Sequence, residues 1–464
     1  MEQKGMEICQ NSLLKLKAQL DHRPQQRKPG DEGSTVTPII EQLLETLNFG
    51  HLDRIPLFKV NSNPNRKTDI ACRYPDAAGN RFFTQQQDPL LLVEIKATKC
   101  QLSPDHKDYW ETLRQLKEQL LGSRSTSTQF GLISNGWVLQ LFRRHDKIIH
   151  PITPILELES DAVEHLAERL LNIIQSPRKG TIIGVYNNKG GIGKTTITTN
   201  LGIVLAQQGK KVLLVDFDPN QADLTHLFEF QAVEGHVWNF LKGDCPLNTV
   251  IKQYSQNQGK NKVKLDVIPA EGKFLELSDL RISQDIRLEY LRKQLVEAAR
   301  DYDYILVDMP PNWRWFSQAG VLASDVLLVP ANHIDRLSLQ NLEELVIKFL
   351  PQIEEWRAEI NDSPVSLLPL VLNRYQRTEA QARNCKSFLD KIISQNPQWK
   401  ETFTHFFYTG NTWMGMGTKW LELPYLVEIC RSPLESPRFV PAPLKYKKAK
   451  QAYESLIREV FTDV

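Results

Sequence analysis

The sequence predicts an α/β protein: a C-terminal phosphate-loop domain with a mostly parallel sheet flanked by helices, plus a smaller N-terminal α/β domain. Three observations predict it. From residue 181 onward, buried-looking strands alternate with helical patterns: TIIGVYN, KKVLLVDF, KLDVIPA, YDYILVDM, DVLLVPA and SLLPLVLN. Continuous apolar runs of that kind suit a parallel sheet covered on both faces. The first of these strands runs into NKGGIG and then into a helix beginning near Lys194, the strand–turn–helix context that a phosphate loop requires. Ahead of them, residues 35–155 mix a helix (TPIIEQLLETL), strands (LLLVEIKA, QFGLIS, WVLQLF) and a long polar helix around 107–121.

Two composition breaks set the expected boundaries. DHRPQQRKPGDEGS at 21–34 reads as a mobile segment after a leader helix, and SPRKG at 176–180 closes a linker. Within that linker Val163, Leu166, Leu170 and Ile174 fall at helical spacing. The expected organisation is therefore 1–34, 35–155, a linker helix at 156–180, and 181–464. Basic and acidic residues nearly balance (57 against 55), so any nucleic-acid face has to be local. The charged N-terminus carries no secretory core, and no run of about 18 apolar residues suggests a membrane span. Six scattered cysteines without a C-x-x-C pair read as reduced thiols, so a cytoplasmic location and no membrane partner are expected.

In NNKGGIGKTT, Gly190, Gly191 and Gly193 let the backbone bring its N–H groups close to phosphate oxygens, and the helix start adds partial positive charge. Lys194 would reach the β- and γ-phosphates, and the Thr195 hydroxyl would ligate Mg²⁺. The strict phosphate-loop pattern wants glycine at 188, where this chain has Asn188. KGGIGKTT instead resembles the deviant phosphate loop of the ParA/MinD family of ATPases, and the resemblance implies ATP and Mg²⁺ as cofactors. It marks Lys189, Gly190, Gly191, Ile192, Gly193, Lys194, Thr195 and Thr196 as nucleotide-binding, and Lys189 as a signature lysine. That lysine crosses into the partner's site when two ATP-bound monomers pack as a homodimer, the task of an arginine finger.

KKVLLVDFDPNQADLT is similar to the family's second motif, which implies Asp216 near the Mg²⁺ shell and Asp218 orienting the attacking water. Asn220-Gln221-Ala222-Asp223 stands where the family usually has Gln-Gly-Asn. YDYILVDMPP is similar to its Walker B strand, with Asp308 as the Mg²⁺-linked acid, and two prolines then force the chain out of the sheet. Asn373 in LLPLVLNRYQ falls where the family places a base-contacting residue. The resemblance also implies nonspecific DNA binding and a partner protein that stimulates hydrolysis. Lys445, Lys447, Lys448 and Lys450, with Arg431 and Arg438, form a candidate phosphate-contacting patch.

In the N-terminal domain, TDIACRYP places Asp69 on one strand, and LLLVEIKA places Glu94 and Lys96 on one face of another. Two carboxylates that hold Mg²⁺ beside a lysine that positions water suit phosphodiester hydrolysis. Order and context resemble the PD-(D/E)xK nuclease-like N-terminal domain of type I restriction-enzyme R subunits. That resemblance adds Glu41 as an extra metal-site acid and Gln115 or Gln119 as the family glutamine. A plain α/β docking domain is the alternative.

Three functions stay open on this reading. The leading one is an ATP-driven, dimerising, partition-type switch acting on DNA. The others are an ATP-gated endonuclease of genome defence, and a regulatory scaffold that does not cut.

Overall fold

The computed structural model describes every residue except 1–6, 25–26, 29, 62–66, 232–235, 259–260, 376–377, 409–419, 433–439 and 463–464. The chain divides into two compact units, residues 1–177 with 361–364, and residues 178–360 with 365–464.

The first unit is built on a sheet of β1 Arg54–Lys59, β2 Lys67–Cys72, β3 Leu91–Ile95, β4 Phe130–Ser134, β5 Val138–His145 and β6 Ile148–Pro151, in that spatial order, with β7 Leu156–Glu157 also pairing β5. β3 and β4 run parallel; β2 and β3 are antiparallel, with Ile70 opposite Val93. Alternation divides β3 between two layers. Leu91, Val93 and Ile95 join a core with the helices Gln10–Asp21, Thr37–Thr46 and Val163–Gln175. Leu92 and Glu94 point to the other face, toward the helix Lys107–Leu120. That helix sits close because Gly131 is bare: a Cβ there would lie 2.9 Å from the Leu116 methyls. The described residues of 21–34 are tied down. Asp31 accepts from the Thr98 backbone N–H at 2.8 Å and from its hydroxyl at 2.7 Å, and Arg23 donates to the carbonyls of Gly136 and Leu158.

The second unit holds β8 Thr181–Val185, β9 Val212–Asp216, β10 Lys252–Gln258, β11 Asn261–Ile268, β12 Tyr304–Asp308, β13 Val326–Leu328 and β15 Ser366–Leu367. They lie in the order β10-β11-β9-β12-β8-β13-β15, all parallel except β10. A smaller parallel sheet of β14 Pro330–Asn332, β16 Val371–Tyr375 and β17 Leu421–Pro424 carries the layer onward, joined where Val371 N–H meets the Val329 carbonyl. Four of the six expected apolar runs from 181 onward hold one strand each, whereas DVLLVPA divides into β13 and β14 and SLLPLVLN into β15 and β16, each split between the two sheets. Apolar side chains such as Leu213, Val215, Ile305 and Val307 pack with helices including Glu289–Ala298, Trp315–Ala323 and Leu350–Glu359. Among the described residues, no helix is long and apolar enough to cross a membrane, and all six cysteines are free thiols.

Candidate functional site

Three parallel strands end in step and build the main site. The ladder sets Asp308 level with Val185 on one side and with Asp216 on the other. The end of β8, where the glycine-rich loop begins, therefore has both carboxylates on one side, Asp308 on the adjoining strand and Asp216 on the next, at the carboxyl edge of the sheet where ligands of such folds bind. The loop turns through Gly191 at φ 73° and Gly193 at φ 94°, conformations that side chains other than glycine rarely adopt. The helix Lys194–Gln207 follows at once.

Lys194 is 7% exposed, and its ammonium donates to the Lys189 carbonyl at 3.1 Å. Burial lowers its pKa, against the opposing pull of Asp308 and Asp218. Asp308 is buried and pushed up to about 8, first by burial and then by Asp216; the Thr195 hydroxyl hydrogen-bonds it, and its Oδ1 has no hydrogen-bond partner. Burial also raises Asp216, to about 6, although Thr225 donates to it from its backbone N–H at 2.8 Å and its hydroxyl at 2.6 Å. Asp218 is raised by burial too and accepts from the backbone of Asn220 and Gln221. Because those two bonds come from the main chain, the Asn220-Gln221 departure leaves this turn intact.

An orphaned carboxylate oxygen, acids that burial holds toward neutrality and a buried lysine whose hydrogen bond among the described residues goes to the main chain suit a divalent cation and a polyanion. Thr195, Asp308 and Asp216 are the residues that could hold Mg²⁺. Among the described residues no three His, Cys, Asp or Glu side chains form a ready-made metal cage. Mg²⁺ does not require one, since it commonly takes one or two carboxylates, water and phosphate oxygens.

Asn373 comes from β16, 181 residues away in sequence, and donates to the Ile192 carbonyl at 2.6 Å. A Cβ on Gly193 would stand 2.5 Å from its amide nitrogen, so that glycine is required twice, for φ and for this approach. Asn373 also lines a cavity of about 270 Å³ with Gly193, Thr196, Arg374, Tyr425 and Tyr453. Sequence reasoning missed the two tyrosines and Thr225. Thr225 ends the DFDPNQADLT stretch, where its position behind Asp216 was the one available signal. In the basic patch, Arg431, Lys445, Lys447 and Lys448 are exposed, and Lys450 sits 3.6 Å from Glu454. Arg438 lies outside the described residues.

A second group of side chains converges in the first unit. Lys96 reaches Glu94 at 2.6 Å and the Gln115 side-chain oxygen at 2.6 Å. Gln119 donates to the other oxygen of Glu94 at 2.6 Å. Asp69 accepts from the Ile95 N–H at 2.6 Å and is raised to about 6, by burial first and then by Glu94. Both glutamines therefore enter the network, rather than one of them. Glu41 does not join it: the residue is exposed, and its carbonyl accepts from Arg54, which is level with Cys72 at the far end of β2. Glu32, one helical turn upstream of the Thr37–Thr46 helix, adds a smaller effect on Asp69 than Glu94 does.

Residues 180–363 match the family model described as an AAA domain. The sporulation initiation inhibitor protein Soj of Bacillus subtilis is 37% identical over 173 residues, covering 36% of this chain and 64% of that protein. The chromosome-partitioning ATPase Soj of Treponema pallidum is 36% identical over 32% of this chain and 56% of its own length, so the chain spans less than two thirds of both relatives. The chromosome partitioning protein ParA of Caulobacter vibrioides is 30% identical over 221 residues, 46% of this chain and 78% of that protein. The cell division ATPase MinD of Pyrococcus furiosus superposes with a TM-score of 0.41 at 21% identity, over 61% of this chain and 98% of that one. On the Caulobacter relative, most of whose length it covers, the chain belongs to the ParA/MinD family of P-loop ATPases.

Proposed function

We propose that this chain is a Mg²⁺-dependent ATP hydrolase that dimerises on ATP and uses that switch to act on DNA, in partition or positioning. The observation that carries the reading is the group of Lys194, Thr195, Asp216, Asp218 and Asp308 at the ends of three strands held in register. Thr195, Asp216 and Asp308 would hold Mg²⁺, which would supply positive charge to offset that of the phosphates. The chain's own residues do the rest. Gly190, Gly191 and Gly193 offer backbone N–H groups to phosphate oxygens, and Lys194 exchanges the Lys189 carbonyl for phosphate. Asp218, fixed by the two backbone N–H groups of its turn, orients the attacking water and takes up its proton. Lys189, half-buried at the loop's start, serves the partner's site. Asn373 and the adjoining cavity receive the base, which supports ATP over a bare polyphosphate. An activating partner protein is part of the same reading.

The test is ATP binding, turnover and sedimentation of the full chain with Mg²⁺, with and without ATP, beside Lys194→Ala. Wild-type protein that neither binds ATP nor changes its mass with it overturns the proposal.

The Asp69, Glu94, Lys96 and Gln115 network favours a second reading, in which the first unit is a PD-(D/E)xK-like module that cuts DNA under control of the ATPase. Supercoiled DNA incubated with Mg²⁺ separates the two. Nicking that Glu94→Gln abolishes moves the molecule to the endonuclease reading, whereas an ATP-dependent mobility shift with no cut leaves the switch.

A further inference from the structure

The hairpin of β10 and β11 has no part in the nucleotide site, yet it is built asymmetrically. The antiparallel register sets Gln253 opposite Asp266, Ser255 opposite Lys264 and Asn257 opposite Lys262. All of these are exposed except Asp266, which is half-buried at the base of the ribbon. The residues between them face the other way. Val263 and Leu265 are 4% and 2% exposed, and the Tyr254 ring packs edge-on against Phe228 with centroids 4.7 Å apart. One face is thus anchored in the unit, while the other carries only amide, hydroxyl and ammonium groups along the overhang.

The overhang lies at the opposite end of the sheet from the nucleotide. β11 pairs β9 only from Asp266 to Ile268, with Ile268 level with Val215 beside Asp216. Residues before Leu265 therefore project beyond the first residue of β9. Continuing the register sets exposed Lys211 level with Lys264, and its ammonium lies 4.7 Å from the Tyr302 ring centroid. Asp266, the acid at the base of this face, is engaged by the Tyr302 hydroxyl at 2.6 Å. The projecting part carries Lys262 and Lys264 with no acid between them.

We propose that this ribbon is a duplex-DNA contact, entering the major groove with Lys262 and Lys264 on phosphates and Ser255 and Asn257 toward base edges. It rests on the DNA-acting reading above and names a surface for it other than the C-terminal lysines. Two strands about 4.8 Å apart fit a groove about 12 Å wide. Lysines two residues apart on one strand are separated by about 6.8 Å, a reach that allows each its own phosphate. Asn, Gln and Ser are side chains that pair with base edges in that groove. A ribbon at this end of the sheet stays exposed when a second copy covers the nucleotide end.

The test titrates duplex DNA with the full chain, ATP and Mg²⁺ at several salt concentrations, read by fluorescence anisotropy. It compares wild type with Lys262→Ala/Lys264→Ala and with Lys447→Ala/Lys448→Ala, all checked for unchanged ATP turnover. Each phosphate contact contributes about 0.9 to the slope of log affinity against log salt, so the ribbon variant should lose about 2 units of slope. Ser255→Ala/Asn257→Ala, which removes no charge, should keep the slope and flatten any preference among duplexes of different sequence. An unchanged slope in the lysine variant of the ribbon, with the loss falling on the Lys447/Lys448 variant, overturns the ribbon and leaves the DNA reading standing. A wild-type protein that binds no duplex overturns both. Equal affinity for duplex RNA also overturns the ribbon, because the A-form major groove is too narrow and deep to admit it.

Discussion

The two sites use the same materials and leave them in opposite states. Each places carboxylates and a lysine near strand ends against one helix. In the first unit the lysine is held by side chains: Lys96 bonds Glu94 and Gln115, and Gln119 occupies the remaining oxygen of Glu94. In the second, Lys194 has a main-chain carbonyl and Asp308 keeps a bare, buried oxygen. Buried polar groups left unpaired are costly, so they persist where a ligand completes them. The nucleotide site is built to be filled. The N-terminal network pairs its lysine and glutamate with side chains, leaving the buried Gln119 Oε1 as its unpaired atom, and would have to open its own ion pair to admit a metal.

The largest expected effect tests the open site. Lys194→Ala leaves phosphate charge without its buried partner, a loss of about 2–5 kcal/mol, and ATP affinity should fall roughly 30-fold to several thousandfold. Fluorescent ATP-analogue titration measures it; an affinity within threefold of wild type would mean that the lysine is a structural donor to the loop. Asp218→Ala should keep ATP binding and the dimer while turnover falls by about 10² to 10⁴. Unchanged phosphate release in that variant removes Asp218 from the water-positioning role.

The closed site predicts the reverse sensitivity, in stability rather than in binding. Glu94→Ala strips Lys96 and Gln119 of their shared acceptor and should cost about 1–3 kcal/mol in a thermal melt, discounted because Lys96 retains some water. Glu94→Gln, which keeps an acceptor oxygen, should recover more than half of the loss. If the alanine variant melts with wild type, the network is not self-supporting and the contrast between the sites fails.

The sequence made the nucleotide site legible because its parts are local: glycines, Lys194 and Thr195 share one loop, and Asp216 and Asp308 each close an apolar strand. What escaped is long-range. Nothing near Asn373 signals that β16 delivers its amide to Ile192, nor that Tyr425 and Tyr453 line the adjoining cavity. In the first unit Asp69, Glu94 and Lys96 were readable as an order of residues on two strands. The separation of Glu41 from them was not, since it depends on where the first helix starts and which way it faces. The β10–β11 ribbon hid for a different reason. Its apolar positions, Val263, Leu265 and half-buried Tyr254, alternate with so many polar residues that only its buried end, KLDVIPA, stood out as a strand.

The smallest expected effect is the one that decides what the closed site is for. Asp69 faces Glu94, with Lys96 and Glu32 near enough to matter and the Ile95 N–H bonded to it, and its pKa is raised from 3.8 to about 6. Between those values the folded protein holds a proton that the unfolded chain has released, so stability falls as pH rises through the window. Above it the native state carries the full burden of a second buried charge, at most about 3 kcal/mol. Asp69→Asn removes that charge while its side-chain oxygen can still accept from Ile95. The variant should therefore melt a few degrees above wild type at pH 8 and together with it only near pH 3, below both pKa values, with about half of the difference already present at pH 5. A shift of equal size at pH 8 and pH 3 would locate the effect in packing instead. Mg²⁺ then sharpens the result. If it raises the wild-type melting temperature at pH 8 and leaves Asp69→Asn unmoved, the strained pair is a metal site that happens to be closed by Lys96. If neither protein responds, the network is a structural one, and the contrast with the nucleotide site extends from geometry to use.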